Sequence, residues 1–133
     1  MDGAVDQLRH LPFEDIGFAR IDHHRQLRRG FPETILCQGK TPEQVVKIFA
    51  GLARKGGNVR ATRANEAHMN ALKEADIAPD IRYEDLARVV SLEQAPLPRS
   101  QAVLPIITAG TADLPVAEEA RATAEIMGQR TEL

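Results

Sequence analysis

The segment between residues 31 and 64 constrains the fold most, because it reads as a strand, a capped helix and a second strand. In its central part, TPEQVVKIFAGLARKGGN, Thr41 is a suitable N-cap, Pro42 fits the first helical position and Gln44 completes a capping box. A pair of glycines supplies the left-handed conformation that ends helices. The runs ETILC and NVRATRA, before and after the helix, predict strands. The apolar residues of the helix recur on one face: Val45, Ile48, Phe49 and Leu52.

The alternation of strands and helices continues beyond this segment. Asn65 caps a predicted helix through EAHMNALKEA, with Met69 and Leu72 facing inward, and residues 87–92 form a third strand candidate. Strands that alternate with helices of this length favour βαβ units, because parallel strands need a crossover connection. The sequence therefore predicts an α/β fold with a parallel sheet.

The domain boundary is predicted from a change in pattern. The stretch QAPLPRSQ contains two prolines and no periodicity, as a linker would. We therefore predict a small amino-terminal βαβ-type domain over residues 1–94, a linker at 95–101 and the start of a second domain at 102–133.

Composition excludes several classes of function. The chain has 133 residues, a net charge of −2, one Tyr and no Trp. A nucleic-acid partner is not expected, because such binders carry a stronger basic excess and more exposed aromatic residues. No apolar run approaches the roughly 20 residues of a bilayer span, and the start of the chain lacks a signal-peptide pattern. We therefore expect a cytoplasmic protein without a membrane partner.

The residues that suggest a metal site or a nucleophile have simpler explanations. The single Cys37 lies in an apolar strand-like run, where a buried structural thiol is common. Asp22, His23 and His24 resemble the metal-binding motif of DHH phosphoesterases, but adjacent histidines point in different directions and chelate poorly. We therefore predict no metal site. Two isolated histidines are interpreted as surface or helix residues: His10 and His68.

A basic segment offers candidate phosphate contacts. Arginine guanidinium groups match the geometry of phosphate oxygens, and a dinucleotide would present such oxygens. A run of charges is also common on solvated surfaces, so both interpretations stay open. The candidates are Arg25, Arg28, Arg29 and Lys40.

The stretch LPIITAGTADLPVAEEA reads as an apolar strand, a turn of small residues and a helix. Residues 102–107 suit a strand that is covered on both faces in the middle of a parallel sheet. Gly110 and Thr111 lie where backbone amides favour an anion, at the carboxyl end of a strand. Asp113 can either cap the helix or accept from sugar hydroxyls, and capping is its usual role. The helix is expected to bury Val116, Ala117, Ala120, Ala124 and Met127.

Two long segments resemble one family. LPFEDIGFARIDHHRQLRRGFPETILCQGKTPEQV near the start, and ITAGTADLPVAEEA further on, closely resemble the LarB family of pyridinium-3,5-biscarboxylic acid mononucleotide synthases. Their order and spacing also match, so the resemblance covers essentially the whole chain. It implies that residues 102–133 form the first strand and helix of a flavodoxin-like parallel-sheet domain, similar to AIR carboxylase.

The resemblance implies a carboxylase and hydrolase of nickel-pincer cofactor biosynthesis, the cofactor of lactate racemase. Such enzymes carboxylate the pyridinium ring of nicotinic acid adenine dinucleotide and release AMP. The substrate is then a small-molecule dinucleotide, with CO2 or bicarbonate as co-substrate. The resemblance fixes no further cofactor and leaves Mg²⁺ open. It also implies a homo-oligomer, which is an octamer in the full-length family.

The resemblance also suggests roles for individual residues. Gly110 and Thr111 correspond to the phosphate-facing turn, and Asp113 to the ribose contact. Ala112 stands where the family usually has Ser, which removes one hydroxyl donor, worth about 1 kcal/mol. Family members continue past Leu133 with an acidic residue and a cysteine that attacks the pyridinium ring. We therefore expect the catalytic residues beyond Leu133, and a truncated chain that is inactive alone.

Two other functions remain as alternatives. The first is an AIR carboxylase of purine biosynthesis, but those enzymes begin near Ala102, which leaves the first hundred residues unexplained. The second is a non-catalytic binding or assembly fragment. Its single strand and helix would expose an apolar face and promote oligomerisation.

Overall fold

The computed structural model describes residues 13–22, 31 and 33–133, and every element below lies within them. It confirms the α/β class. No helix in these residues is long and apolar enough to cross a bilayer. The helices are α1 (Pro42–Ala53), α2 (Glu66–Ala75) and α3 (Leu114–Ile126), with a 3-10 turn at Thr111–Asp113. The strands are β1 (Phe13–Asp15), β2 (Arg20–Asp22), β3 (Thr34–Leu36), β4 (Val59–Thr62), β5 (Arg82–Glu84), β6 (Val89–Leu92), β7 (Val103–Pro105) and β8 (Arg130–Glu132).

The predicted β3–α1–β4 unit is confirmed. Strands β3 and β4 are parallel, with Ile35 opposite Ala61. At the start of α1, the Gln44 amide donates to Thr41 Oγ1 at 3.3 Å, and the Thr41 amide donates to Gln44 Oε1 at 3.0 Å. This reciprocal capping box satisfies two amides that have no partner inside the helix. Gly56 follows the helix with φ +76°, the left-handed conformation predicted for the glycine pair.

The second crossover departs from the predicted all-parallel sheet. The four-stranded sheet has the order β3-β4-β6-β5, and β6 is antiparallel to both of its neighbours. Helix α2 carries the chain from β4 to the parallel strand β5, two positions away in the sheet. A tight turn then returns β6 into the gap, with Arg88 at φ +55°. A hairpin needs only a few residues, so the last strand does not require a helical crossover.

One face of this sheet carries the main core. Helices α1 and α2 cover it, and the predicted inward residues Val45, Phe49 and Leu72 are fully buried. Glycine at position 51 allows β2 to approach α1, because a Cβ there would lie 2.7 Å from Ile21 Cδ1. The strands contribute alternate residues to this core: Ile35, Val59, Ala61, Val90 and Leu92.

The opposite face of the sheet is partly covered by α3. Ala87 and Val89 pack with Ala122 of this helix in a second buried cluster. Arg60 and Thr62 point to the same side, because they alternate with core residues along β4. All four residues of β4 are consequently buried.

The chain after residue 101 forms a second parallel unit. Strand β7 leads through the 3-10 turn and α3 to β8, which pairs with β7 in parallel. Strand β8 is an element that the sequence pattern did not predict. The expected burial of residues 102–107 is wrong for this structure, because every residue of β7 is exposed and its pairing within the described residues is to β8.

The predicted apolar face of α3 is wrong at two of its five positions. Val116 is 60% exposed and position 120 is exposed, whereas Ala117, Ala122 and Ile126 are buried. The helix turns its other side toward the β4–β6 surface. An alanine-rich helix is apolar around much of its circumference, so the available partner decides which side is covered.

Candidate functional site

The turn between β7 and α3 combines small residues with an exposed backbone. Thr108 Oγ1 donates to the Gly110 carbonyl at 3.2 Å, and the Asp113 amide donates to the same carbonyl at 3.2 Å. Gly110 has an extended φ of −164°, and a Cβ added there would meet nothing within 4 Å. Neither conformation nor packing therefore requires glycine at this position. The absence of a side chain leaves the backbone open to an approaching ligand.

The Asp113 side chain does not cap α3. The capping role that is usual for an Asp at this position is therefore wrong for this residue. It occupies the N-cap position but makes no side-chain cap hydrogen bond, and it is exposed. Its backbone has φ −90° and ψ −6°, whereas the working caps Thr41 and Asn65 are extended. Capping side chains need the extended conformation to reach the amides of the first turn. Because Asp113 ends a 3-10 turn, its backbone is not extended and its side chain does not bond the first amides of α3. The carboxylate is therefore available to a ligand.

A depression of about 380 Å³ lies beside this turn. Asp113 is the ionisable group among its lining residues, and Ile107 and Val116 at its border are 91% and 60% exposed. An apolar surface with one carboxylate suits a ligand that offers a flat or hydrophobic part and hydroxyl donors. The remaining lining residues are Ile106, Thr108, Ala109, Ala117 and Ala120.

Lys40 is held by two backbone contacts in the amino-terminal part of the chain. Its Nζ donates to the Leu36 carbonyl at 2.7 Å, and its own carbonyl is 2.8 Å from His68 Nε2. The structure therefore places it just after the carboxyl end of β3, among contacts to Leu36 and His68. Its role as a phosphate contact stays a prediction. Six predicted residues lie outside the described residues: Arg25, Arg28, Arg29, His10, His23 and His24.

His68 is a buried structural histidine. Its Nδ1 accepts from the Asn65 amide at 3.1 Å, while the His68 amide donates to Asn65 Oδ1 at 2.9 Å. An amide only donates and a carbonyl only accepts, so the ring hydrogen is on Nε2 and points at Lys40. The helix interpretation is confirmed and the surface interpretation is wrong.

Cys37 is buried, and its thiol is poorly reactive. It is 0% exposed, and burial raises the pKa of its thiol to about 11, although the nearby Lys40 and Arg88 charges oppose that change. A thiol that stays protonated at neutral pH is a poor nucleophile. The structural interpretation is therefore confirmed.

No cluster of three metal-binding side chains occurs among the residues that the structure covers. The Asp22 amide donates to Glu33 Oε2 at 2.9 Å, at the end of β2. Its neighbour His24, like His23, falls in the stretch that the structure does not describe. The interpretation of this motif therefore stays a prediction.

Sequence reasoning missed a network of charges between α3 and the sheet. Arg121 contacts Glu118, Glu125 and Glu84, and Arg63 contacts Glu119. The spacing of residues 118, 121 and 125 was readable as pairs within one helix. The contacts of α3 with Arg63, just after β4, and with Glu84 in β5 depend on the tertiary structure.

The comparison with protein families agrees with this architecture. A family model described as "LarB/PurE-like N-terminal domain" matches residues 13–94. The chain belongs to the LarB family. The match includes β1 to β6 and both helices of the main core. This LarB-type chain is thereby related to carboxylase- and mutase-type enzymes.

One curated relative resembles a larger part of the chain. It is named "Uncharacterized protein MJ0165", from Methanocaldococcus jannaschii, and is 34% identical over 116 residues. The matched region includes 82% of the LarB-type chain but only 44% of that relative. The chain thus spans less than half the length of the relative it matches.

Proposed function

We propose that the whole protein carboxylates the pyridinium ring of nicotinic acid adenine dinucleotide and releases AMP. The product is pyridinium-3,5-biscarboxylic acid mononucleotide, a precursor of the nickel-pincer cofactor. The observation that carries this proposal is that the Asp113 carboxylate, beyond the carboxyl end of β7, makes no cap hydrogen bond to α3. Its place in a LarB-family chain supports the choice of substrate.

The turn has a defined part in this proposal. Asp113 accepts hydroxyl hydrogens of the ribose, and the backbone around Gly110 and Thr111 lies against a phosphate. The first amides of a helical turn have no acceptor within the helix, so they suit an anion. Ala112 lacks the hydroxyl that a serine would add, which weakens binding by about 1 kcal/mol.

The groups that react with the pyridinium ring are not among the turn residues Gly110, Thr111 and Asp113. A thiolate adds to the electron-poor pyridinium ring and makes an enamine, which takes up CO2. A carboxylate then removes the ring proton, and the thiolate leaves as aromaticity returns. We propose that both groups follow Leu133 in the whole protein. Cys37 is unsuited to this step because its thiol is buried and its pKa is raised.

The family match favours this activity over the AIR carboxylase alternative. The matched model covers residues 13–94, a region that an AIR carboxylase assignment leaves without a role. Growth of a purine auxotroph distinguishes the two activities, because an AIR carboxylase restores it and a LarB-type synthase does not.

The direct test is turnover by the whole protein. Purified protein is given nicotinic acid adenine dinucleotide and isotopically labelled bicarbonate, with and without EDTA. We expect AMP and a labelled dicarboxylated mononucleotide in equal amounts. The Asp113→Asn variant should raise KM, whereas the Cys37→Ala control should retain activity. Absence of both products from the wild-type protein would refute the proposed reaction.

A further inference from the structure

We propose that the amino-terminal sheet positions Asp113 through helix α3, with Arg121 and Arg60 as positioning residues. The inference rests on the proposed function, which makes Asp113 a substrate contact. Helix α3 begins at the site and carries its middle and its last turns against the four-stranded sheet. Arg60 and Arg121 would thereby act on the reaction without touching the substrate.

Arg121 is the main link between the helix and the sheet. Its Nε donates to Glu118 at 2.6 Å and its Nη1 donates to Glu125 at 2.8 Å, both in α3. Its Nη2 contacts Glu84, which belongs to β5. Glu125 also accepts from Thr131 Oγ1 at 2.7 Å, in β8. Arg121 therefore ties the helix to the four-stranded sheet, and its partner Glu125 ties the helix to β8.

Arg60 fixes the position of the helix along the sheet. It is only 6% exposed, and its Nη1 donates to the Thr123 carbonyl at 3.1 Å. Its Nη2 donates to Thr34 Oγ1 at 2.5 Å, across the parallel pair of strands. The Thr123 carbonyl lies in the last turn of α3, where carbonyls lack helical partners and a cation is favoured. A slide of the helix by one residue would take the Thr123 carbonyl away from Arg60 Nη1 and leave only the contact with Thr34.

One further ion pair opposes rotation of the helix about its own axis. Arg63 Nε lies 3.1 Å from Glu119 Oε2, on the other side of the apolar patch. That patch is formed by Ala122 against Ala87 and Val89. Ionic contacts on both sides of a buried apolar strip hold the helix at one rotation.

These contacts set the position of Asp113 because a helix transmits movement along its axis. Asp113 precedes Glu119, the first of these contacts, by six residues, or about 9 Å of helix. A tilt of about 10° at the sheet would therefore move Asp113 by about 1.5 Å. Displacements of this size lower rates by up to about 100-fold when a substrate contact must be aligned.

The test removes the residue of the sheet that contacts Arg121 and leaves the contacts within α3 intact. Glu84→Ala deletes the β5 partner of Arg121 but retains the partners in α3. The matched control is Glu14→Ala, which also removes a strand carboxylate that pairs with a helix-end arginine, Arg54, at 3.5 Å. The whole protein is assayed for KM and kcat with nicotinic acid adenine dinucleotide, in the wild-type and Asp113→Asn backgrounds. Amide hydrogen exchange of residues 108–116 is measured in parallel.

We expect Glu84→Ala to raise KM by about 10-fold and to speed exchange of residues 108–116, with no such effect of Glu14→Ala. In the Asp113→Asn background, Glu84→Ala should change KM no further, because both variants lose the same contact. Independent, multiplying effects on KM would overturn the inference, as would unchanged exchange. If the wild-type protein releases no AMP, the proposed reaction fails, and the exchange result still decides whether the sheet positions the turn.

Discussion

Replacing the two residues at the starts of α2 and α3 separates a helix cap from a ligand contact. Asn65 accepts from the His68 amide at 2.9 Å, whereas Asp113 makes no side-chain cap bond. Asn65→Ala should therefore lower the free energy of unfolding by about 1 kcal/mol. Asp113→Ala loses only the attraction between its carboxylate and the helix N-terminus, about 0.3 kcal/mol at an exposed position.

Urea unfolding of the chain, followed by circular dichroism, measures the difference. With an m value of about 2 kcal/mol/M, Asn65→Ala should lower the midpoint by about 0.5 M. Asp113→Ala should lower it by less than about 0.2 M by the same relation. Added salt at about 1 M should abolish the Asp113 effect, because it screens the carboxylate from the helix dipole. The Asn65 effect should persist, because a hydrogen bond to an uncharged cap depends little on salt.

A large and salt-independent effect of Asp113→Ala would refute this reasoning. It would mean that the carboxylate accepts a hydrogen bond from the first turn of α3 in solution. Thr41→Ala provides a second reference, since Thr41 accepts from the Gln44 amide at 3.3 Å. The loss of unfolding free energy should be larger for Asn65→Ala and Thr41→Ala, whose side chains make cap hydrogen bonds, than for Asp113→Ala. This order is expected although Asp is among the best N-cap residues.

Three further outcomes follow from buried and strained positions. Gly128→Ala should lower the free energy of unfolding by about 1–2 kcal/mol in thermal unfolding, since Gly128 has φ +86° and an added Cβ would lie 2.7 Å from the Pro98 carbonyl. Phe49→Ala should cost about 3–5 kcal/mol in urea unfolding, because Phe49 is 0% exposed. Burial raises the pKa of the Cys37 thiol from 9.0 to about 11. The contribution of Cys37 to the unfolding free energy should thus be constant below pH 9 and decline from pH 9 to 11, by about 2–3 kcal/mol, as measured by the difference between the wild-type and Cys37→Ala proteins.

Helix starts were predictable where the signal was local. The capping box of Thr41 and Gln44 involves residues three positions apart, and so does the Asn65 cap. Such pairs meet whenever the intervening turn is helical, so sequence spacing is sufficient to identify them. The inward positions of α1 followed from the same helical spacing.

The sheet was predicted only in part. Strand β5, with the sequence RYE, has no apolar run and became a strand by pairing with β6 at the edge. The direction of β6 depended on where the hairpin returned, which adjacent residues do not reveal. For the candidate site, the turn residues were identifiable, but the 3-10 turn that releases Asp113 from capping was not.

The sequence by itself determined the helices α1 and α2, the parallel β3–β4 pair and the small-residue turn before α3. Their signals lie within a few residues and act through backbone geometry and helical periodicity. The tertiary structure decided which side of α3 is buried, how Arg60 and Arg121 are paired, and that the Asp113 carboxylate is uncapped. Those outcomes join residues that are far apart in the chain, so they depend on which surfaces meet when the chain folds.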